Sequence, residues 1–158
     1  MTPANPIEAL AVAKAMRENL WLYPSVEIVH IVGFVILVGS VVMFDLRVLG
    51  LSKQVSVRAL AHHLLPWSAA ALLLILPTEL LMFSAHAADF LTNRAFLVKM
   101  GLLLAAGINA AIFHTGPYQG VAAWDTQVAA PVGARISVAL SIAIWISVIA
   151  CGRLLAYL

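Results

Sequence analysis

The stretch EIVHIVGFVILVGSVVMFD, residues 27–45, decides the fold of this chain. Between Glu27 and Asp45 it carries no Lys, Arg, Asp or Glu, and nearly all of its side chains are apolar. A helix needs about 20 such residues to cross the roughly 30 Å hydrocarbon core of a bilayer. With the apolar residues that flank it, this stretch predicts a membrane-spanning helix over residues 25–49.

Three further stretches have the same apolar character and are bounded by charged residues. They predict spans over residues 59–85, 94–114 and 132–156. Four spans with short connections pack side by side in a bundle. The sequence therefore predicts an all-α fold, an integral membrane four-helix bundle over residues 25–158.

Residues 1–24 precede the first span and are too polar to cross a membrane. Lys14 and Arg17 share one helical face, whereas Leu10 and Leu20 lie more nearly opposite. A helix with one apolar face and aromatic residues at its end lies in the plane of the membrane surface. We expect an N-terminal interfacial amphipathic helix.

The composition supports a membrane location. Of 158 residues, 63% are hydrophobic and 10% charged, and the mean hydropathy is +1.02, whereas an ordinary soluble domain is about a quarter charged. The net charge is +2 and the cationic residues are scattered, which argues against a nucleic-acid partner. The single cysteine, Cys151, excludes an intramolecular disulfide.

Four crossings put both termini on one side of the membrane, called face A here, and the opposite side is face B. Cationic residues are divided almost evenly between the faces, with Lys14, Arg17, Arg94 and Arg153 towards face A. Cytoplasmic loops carry an excess of Lys and Arg. We expect face A to be cytoplasmic.

Five histidines lie at or near the ends of the spans. Because successive helices alternate in direction, His30 and His86 fall towards face A, and the others fall towards face B. Imidazoles at both faces of a four-helix bundle are what a di-haem b-type cytochrome needs. The sequence predicts one or two haem b groups, with the iron bound by His30, His114, His63 and His86; His62 points about 100° away from His63.

Small residues near two of these histidines leave room for a flat ring. Residues spaced by three or four form one stripe on the first span and another on the third. These stripes are His30, Gly33, Leu37, Ser40, Phe44 and Arg47, and Met100, Leu103, Gly107, Ala110 and His114. Small residues also serve plain helix packing in membranes.

Other charged residues near the span ends have two interpretations each. Arg47, Lys99 and Arg153 could pair with haem propionates, or could only reach lipid headgroups. Glu79 lies in the apolar stretch LLILPTELLMF, where an ionisable group is costly. Its carboxyl could relay protons, pair with a buried cation, or remain a neutral acid bonded to another helix.

Four motifs carry a family resemblance: EIVHIVG (27–33), DLRVLGL (45–51), FLVKMGLLLAAGINAAIFH (96–114) and Gly152–Arg153. From about Trp21 onward, the chain resembles an uncharacterised family of small bacterial four-helix inner-membrane proteins, classed as a domain of unknown function. In layout it is also similar to four-helix b-type cytochromes and to copper-resistance-type membrane subunits. The resemblance implies attention to His30, Asp45, Arg47, Lys99, Asn109, His114 and Arg153.

These observations give three functional hypotheses. The first is a haem b protein that carries electrons within or across the membrane, an oxidoreductase if it is an enzyme, with a quinone or membrane redox partner. The alternative is cofactor-free transport or copper handling, for which Met43, Met82 and Met100 offer soft ligands. The third is a structural membrane subunit. The large lipid-facing surface also predicts a homo-oligomer, such as a trimer.

Overall fold

A computed structural model describes residues 5–155 and residue 157. Within this part every regular element is a helix, which confirms the predicted all-α class. In chain order the elements are α1 (Ala11–Glu18), α2 (Leu22–Leu49), α3 (Val57–Ala85), α4 (Ala87–Thr92), α5 (Arg94–Thr115), a 3₁₀ helix (Pro117–Ala123) and α6 (Val132–Leu154).

Four of these helices, α2, α3, α5 and α6, are long and apolar enough to cross a membrane. Large apolar side chains cover their outer faces and are exposed, among them Val35, Leu73, Leu104 and Ile146. Such a surface is unfavourable in water and suited to lipid. The chain is therefore a multi-pass membrane protein with the four predicted spans, whose ends differ from the expected ones by at most three residues.

Helices α2 and α3 pack closely at Gly33. A Cβ atom added there would lie 3.1 Å from Ile75 Cγ1, 3.2 Å from Leu74 Cβ and 3.3 Å from the Ala71 carbonyl oxygen. These separations are tighter than ordinary contacts, so a small residue permits this approach between the helices. His30 lies one turn before Gly33, and the same contact brings it next to α3.

Helix α3 continues through Pro66 and Pro77. Each proline removes the backbone hydrogen bond to the carbonyl four residues earlier. Hydroxyls one or two residues after each proline bond to nearby carbonyls: Ser68 donates to Leu64 O at 3.1 Å, and Thr78 donates to Leu74 O at 2.7 Å. These carbonyls lie one or two residues after those that the prolines leave free, so the hydroxyls add bonds beside each interruption without replacing the missing one.

At face A, α1 is docked on the bundle. Met16 is buried beneath it. Arg17 donates to the Ala85 carbonyl at 2.9 Å, where α3 ends, and the Glu8 carboxylate accepts from the Ala88 N–H at 2.8 Å, where α4 begins. The predicted amphipathic helix is thus fastened to the corner between α3 and α4.

At face B, Arg47 fastens the loops to the end of α2. The residue is only 4% exposed. Its Nε donates to Val55 O at 2.6 Å, and Nη2 donates to Lys53 O at 3.0 Å and to Asp125 O at 2.9 Å. One guanidinium therefore holds the α2–α3 loop against the segment that precedes α6.

The Asp125 carboxylate caps the start of α3. It accepts the backbone N–H of Arg58 at 2.8 Å and the hydroxyl of Ser56 at 2.9 Å. These bonds, first of all that from the Arg58 N–H, hold the pKa of Asp125 below its ordinary value. The carboxylate therefore stabilises the helix start in its charged form.

Candidate functional site

A cavity of about 600 Å³ lies between α2, α3, α5 and α6. Between α3 and α5 the cavity opens towards the lipid, because Leu72, Leu76 and Leu80 both line it and are exposed. At the face-A end, Phe83 of α3 and Phe96 of α5 stack across this gap, with their ring centroids 5.8 Å apart. Most lining side chains are apolar, such as Leu72, Leu103 and Ala106. The ionisable and amide side chains lie towards its two ends: His30, Glu79 and Lys99 near face A, and Asp45, Asn109 and His114 near face B.

The stripes predicted on the first and third spans meet at this cavity. All five members of the α5 stripe, from Met100 to His114, line it. On α2, His30, Leu37, Ser40 and Phe44 line it as well. Gly33 instead faces α3, and the guanidinium of Arg47 bonds to loop carbonyls.

Three ionisable side chains from three helices meet at the face-A end. Glu79 Oε1 lies 3.0 Å from Lys99 Nζ, and Glu79 Oε2 lies 3.2 Å from His30 Nε2. Lys99 and His30 are largely buried here, with side chains 12% and 13% exposed. Of the three interpretations of Glu79, pairing with a buried cation is present in the structure. The cation is Lys99, and the pair joins α3 to α5.

The hydrogen bonds of His30 fix where its protons lie. The hydroxyl proton of Thr78 is shared by the carbonyls of Leu74 and Ile75, at 2.7 and 2.9 Å. The Thr78 oxygen therefore accepts from His30 Nδ1–H, at 3.0 Å. This leaves Nε2 to face the Glu79 carboxyl.

Near face B, Asn109 and Ser137 join α5 to α6. The Asn109 amide donates to the Ser137 carbonyl, and the Ser137 hydroxyl donates to the Asn109 oxygen, both at 2.9 Å. Asp45 is 4% exposed, and its Oδ2 has no hydrogen-bond partner. His114 is half-buried against Tyr118, with their ring centroids 5.1 Å apart.

The other predicted site residues lie away from the cavity. His62 and His63 are exposed near the start of α3, and His86 is exposed at its end, 5.9 Å from the ring of Tyr23. Arg153 is exposed; it donates to the Tyr157 hydroxyl and lies over that ring. The structure thus brings together His30 and Lys99 but not His63, His86 or Arg153.

The described residues do not fit a haem held between two imidazoles. His30 and His114 are the histidines among them that line the cavity. Lys99 marks the His30 end, and α5 rises by about 22 Å between Lys99 and His114. Two nitrogens on one metal lie within about 4 Å of each other. Haem b therefore stays a prediction, with a single imidazole at either end of the cavity.

A metal site of the ordinary kind is not formed either. In the part of the chain that the structure describes, no three His, Cys, Asp or Glu side chains are grouped to hold a metal ion. Met100 lines the cavity, whereas Met43 is exposed on the outer face of α2. Copper handling likewise stays a prediction.

Sequence reasoning missed two members of the site. Thr78 orients His30, and Ser137 positions Asn109. Both are common residues in membrane helices, where a hydroxyl usually bonds to its own backbone. The signal available for Thr78 was its place beside Glu79, directly after Pro77.

Comparison with known proteins gives one match. The model described as Family of unknown function (DUF6644) matches residues 22–158, which include all four long helices and every residue that lines the cavity. Neither the curated proteins nor the solved structures contain a match to the chain.

Proposed function

Because the chain belongs to this family of unknown function, its activity has to be inferred from its own residues, and we propose that it is a cofactor-free membrane protein that binds and transports a lipid-soluble small molecule. The observation that carries this proposal is the cavity inside the bundle. Its volume of about 600 Å³ falls within the range of about 300–1,000 Å³ typical of small-molecule sites.

The route into the cavity supports a ligand that arrives from the lipid. The gap between α3 and α5 faces the bilayer, and apolar side chains such as Leu72 and Leu103 line the walls behind it. A polar solute would lose its hydration there without compensation. A molecule with an apolar body can enter sideways and replace lipid contacts with protein contacts.

The His30–Glu79–Lys99 cluster supports a link between binding and protons. Lys99 is the cation that bridges the α3–α5 gap at the face-A end through Glu79. A proton on Glu79 would remove the charge that attracts Lys99, and would thereby loosen this bridge.

Photolabelling tests the proposed binding. The protein in lipid nanodiscs is irradiated with 3-trifluoromethyl-3-phenyldiazirine, a small apolar reagent, and adducts are located by mass spectrometry. We expect saturable labelling at inward residues such as Leu103 and non-saturable labelling at the outward residue Leu104.

Two glycines of α5 provide matched variants for that experiment. A Cβ atom at either Gly107 or Gly101 meets open space, but of the two only Gly107 lines the cavity. Gly107→Phe should abolish the saturable labelling, whereas Gly101→Phe should preserve it. Labelling that never saturates, or that Gly107→Phe leaves unchanged, contradicts the proposal.

A haem b electron carrier is the second candidate. It is favoured by His30 and His114, which both line the cavity. The absorption spectrum of protein expressed with ample haem decides between the two: a Soret band that is lost in His30→Ala or His114→Ala supports the haem candidate. A quinone, as a lipid-soluble carbonyl compound, would suit either candidate as partner or ligand.

We further propose a bacterial inner-membrane location, with face A in the cytoplasm, and a homo-oligomer such as a trimer. Burial of Arg47 supports this orientation, because one fewer cation is then exposed at face B than the sequence contains there. The remaining exposed cations at face B are Lys53, Arg58 and Arg135, against Lys14, Arg17, Arg94 and Arg153 at face A.

A further inference from the structure

Asp45 is a buried polar residue of the cavity that lies outside the His30–Glu79–Lys99 cluster. It lies on α2 at the face-B end of the cavity, with 4% of its surface exposed. Its Oδ2 has no hydrogen-bond partner, and Ser141 of α6 lines the same cavity. A buried carboxyl oxygen without a partner is costly unless a ligand supplies the donor.

No described cation neutralises Asp45. The guanidinium of Arg47, two residues away, is turned to loop carbonyls. Of the elements around the cavity, α3 contributes Glu79 and α5 contributes Lys99, which pair with each other at the far end. His30 of α2 lies at that far end as well, against Glu79. The titratable group that shares the face-B end with Asp45 is His114 of α5, and the nearby α6 side chains Ser137 and Ser141 carry no charge. Because an isolated buried charge is strongly unfavourable, this environment favours the neutral form of the Asp45 carboxyl until a cation arrives.

Aromatic rings stand at the same end of the cavity. Phe44 and Phe113 both line it and meet edge to face, with their centroids 5.7 Å apart. An aromatic face attracts a cation within about 6 Å, and more strongly where water is excluded. A carboxyl beside such rings suits a ligand that is both apolar and positively charged.

On the basis of the proposed function, we propose that the ligand is an amphiphilic amine whose protonated nitrogen binds Asp45. The ammonium donates to Oδ2 and pairs with the carboxylate, while the apolar body lies along the cavity. The proton of the Asp45 carboxyl leaves to water at face B as the ammonium binds. The complex thus exchanges one proton for one organic cation, with no change in the net charge of the site.

A pair of isosteric compounds tests the ligand class. 4-Phenylbutylamine is protonated at neutral pH, and 4-phenylbutanol is neutral and of the same size. Calorimetry on the protein in nanodiscs should show tighter binding of the amine. Asp45→Asn should weaken amine binding roughly tenfold or more and change alcohol binding less than about twofold. Asp89→Asn, which removes an exposed carboxyl of α4, should change neither.

Proton release gives a test that needs no variant. Calorimetry in two buffers of different ionisation enthalpy should show about one proton released per amine bound and none per alcohol. Equal affinities for the two compounds, no proton release, or unchanged amine binding in Asp45→Asn overturns this inference. If Gly107→Phe abolishes binding of both compounds while Asp45→Asn alters neither, the cavity function stands and only the amine class fails.

Discussion

Two cations near span ends, Arg47 and Lys99, show how the surroundings of a charge decide its role. Arg47 donates to the carbonyls of Lys53, Val55 and Asp125, so its positive charge meets backbone dipoles. Lys99 meets a carboxylate, Glu79, which also contacts His30. The first arrangement holds loops together, whereas the second joins two helices through an ion pair that also contacts an imidazole.

Removal of Lys99 should destabilise the bundle, because Glu79 would be left as a buried charge with only His30 beside it. We expect Lys99→Met to lower the free energy of unfolding by about 2–3 kcal/mol. The double variant Lys99→Met/Glu79→Gln should recover most of this loss. Denaturant unfolding in detergent micelles measures both values. Arg94→Met, which removes an exposed cation from the same helix, is the control, and an equal effect of the two Met variants would contradict the account.

Removal of Arg47 should weaken the attachment of the face-B loops to the end of α2. Arg47→Met removes the hydrogen bonds to three loop carbonyls, and we expect a loss of about 2–3 kcal/mol in the free energy of unfolding. The carbonyls of Lys53 and Asp125 keep a backbone donor, whereas Val55 O loses the short bond from Nε. Arg135→Met removes an exposed cation at the same face and should cost less than about 0.5 kcal/mol. If both variants are equally stable, the guanidinium does not hold the loops.

Contacts between pairs of helices position the residues of the site. Gly33 lets α2 approach α3, and this approach places His30 against Thr78 and Glu79. Helices α5 and α6 are joined by Asn109 and Ser137. The two pairs meet along α2 and α6 and leave α3 and α5 apart, which creates the opening.

A larger residue at Gly33 should separate α2 from α3. We expect Gly33→Val to cost about 2 kcal/mol in unfolding free energy, because its side chain would collide with Leu74 and Ile75. Gly39→Val lies on the same helix, where an added Cβ meets open space, and should cost much less. Thermal unfolding of the two variants compares them, and similar midpoints would refute the close-approach role of Gly33.

Acid should weaken the cap that the Asp125 carboxylate forms at the start of α3. The pKa of Asp125 is lower in the folded protein than its ordinary value, so its contribution to stability is complete above that value and is lost as the pH falls through the folded pKa. We expect the stability difference between wild type and Asp125→Ala to be constant from about pH 7 to pH 5 and to shrink below about pH 4. Unfolding midpoints across this range measure it; a difference that grows in acid would contradict the capping role.

At the scale of the whole molecule, the sequence predicts the architecture better than the site. Apolar stretches bounded by charges place four helices to within three residues, because the bilayer fixes their length. The stripe from Met100 to His114, predicted as a cofactor face, lies along the cavity wall, and its role in holding a cofactor stays a prediction. Spacing along one helix does not reveal which helices touch, so the prediction could not tell that Arg47 reaches Val55 and Asp125.

The bundle as a whole is built around a space that its own side chains do not fill. Its ends hold the His30–Glu79–Lys99 cluster near face A and Asp45, whose Oδ2 has no hydrogen-bond partner, near face B. Its open side faces the lipid between α3 and α5. These three features favour the proposed binding function over that of a helical scaffold, in which the interior would be closed by packing.

Native mass spectrometry of the protein extracted from its membrane in a mild detergent tests this account most directly. We predict a bound small molecule of a few hundred daltons on the wild-type protein and on Gly101→Phe. The molecule should be absent from Gly107→Phe, because the introduced phenyl ring fills the cavity. A bare chain in all three proteins, or a bound species that Gly107→Phe retains, would contradict it.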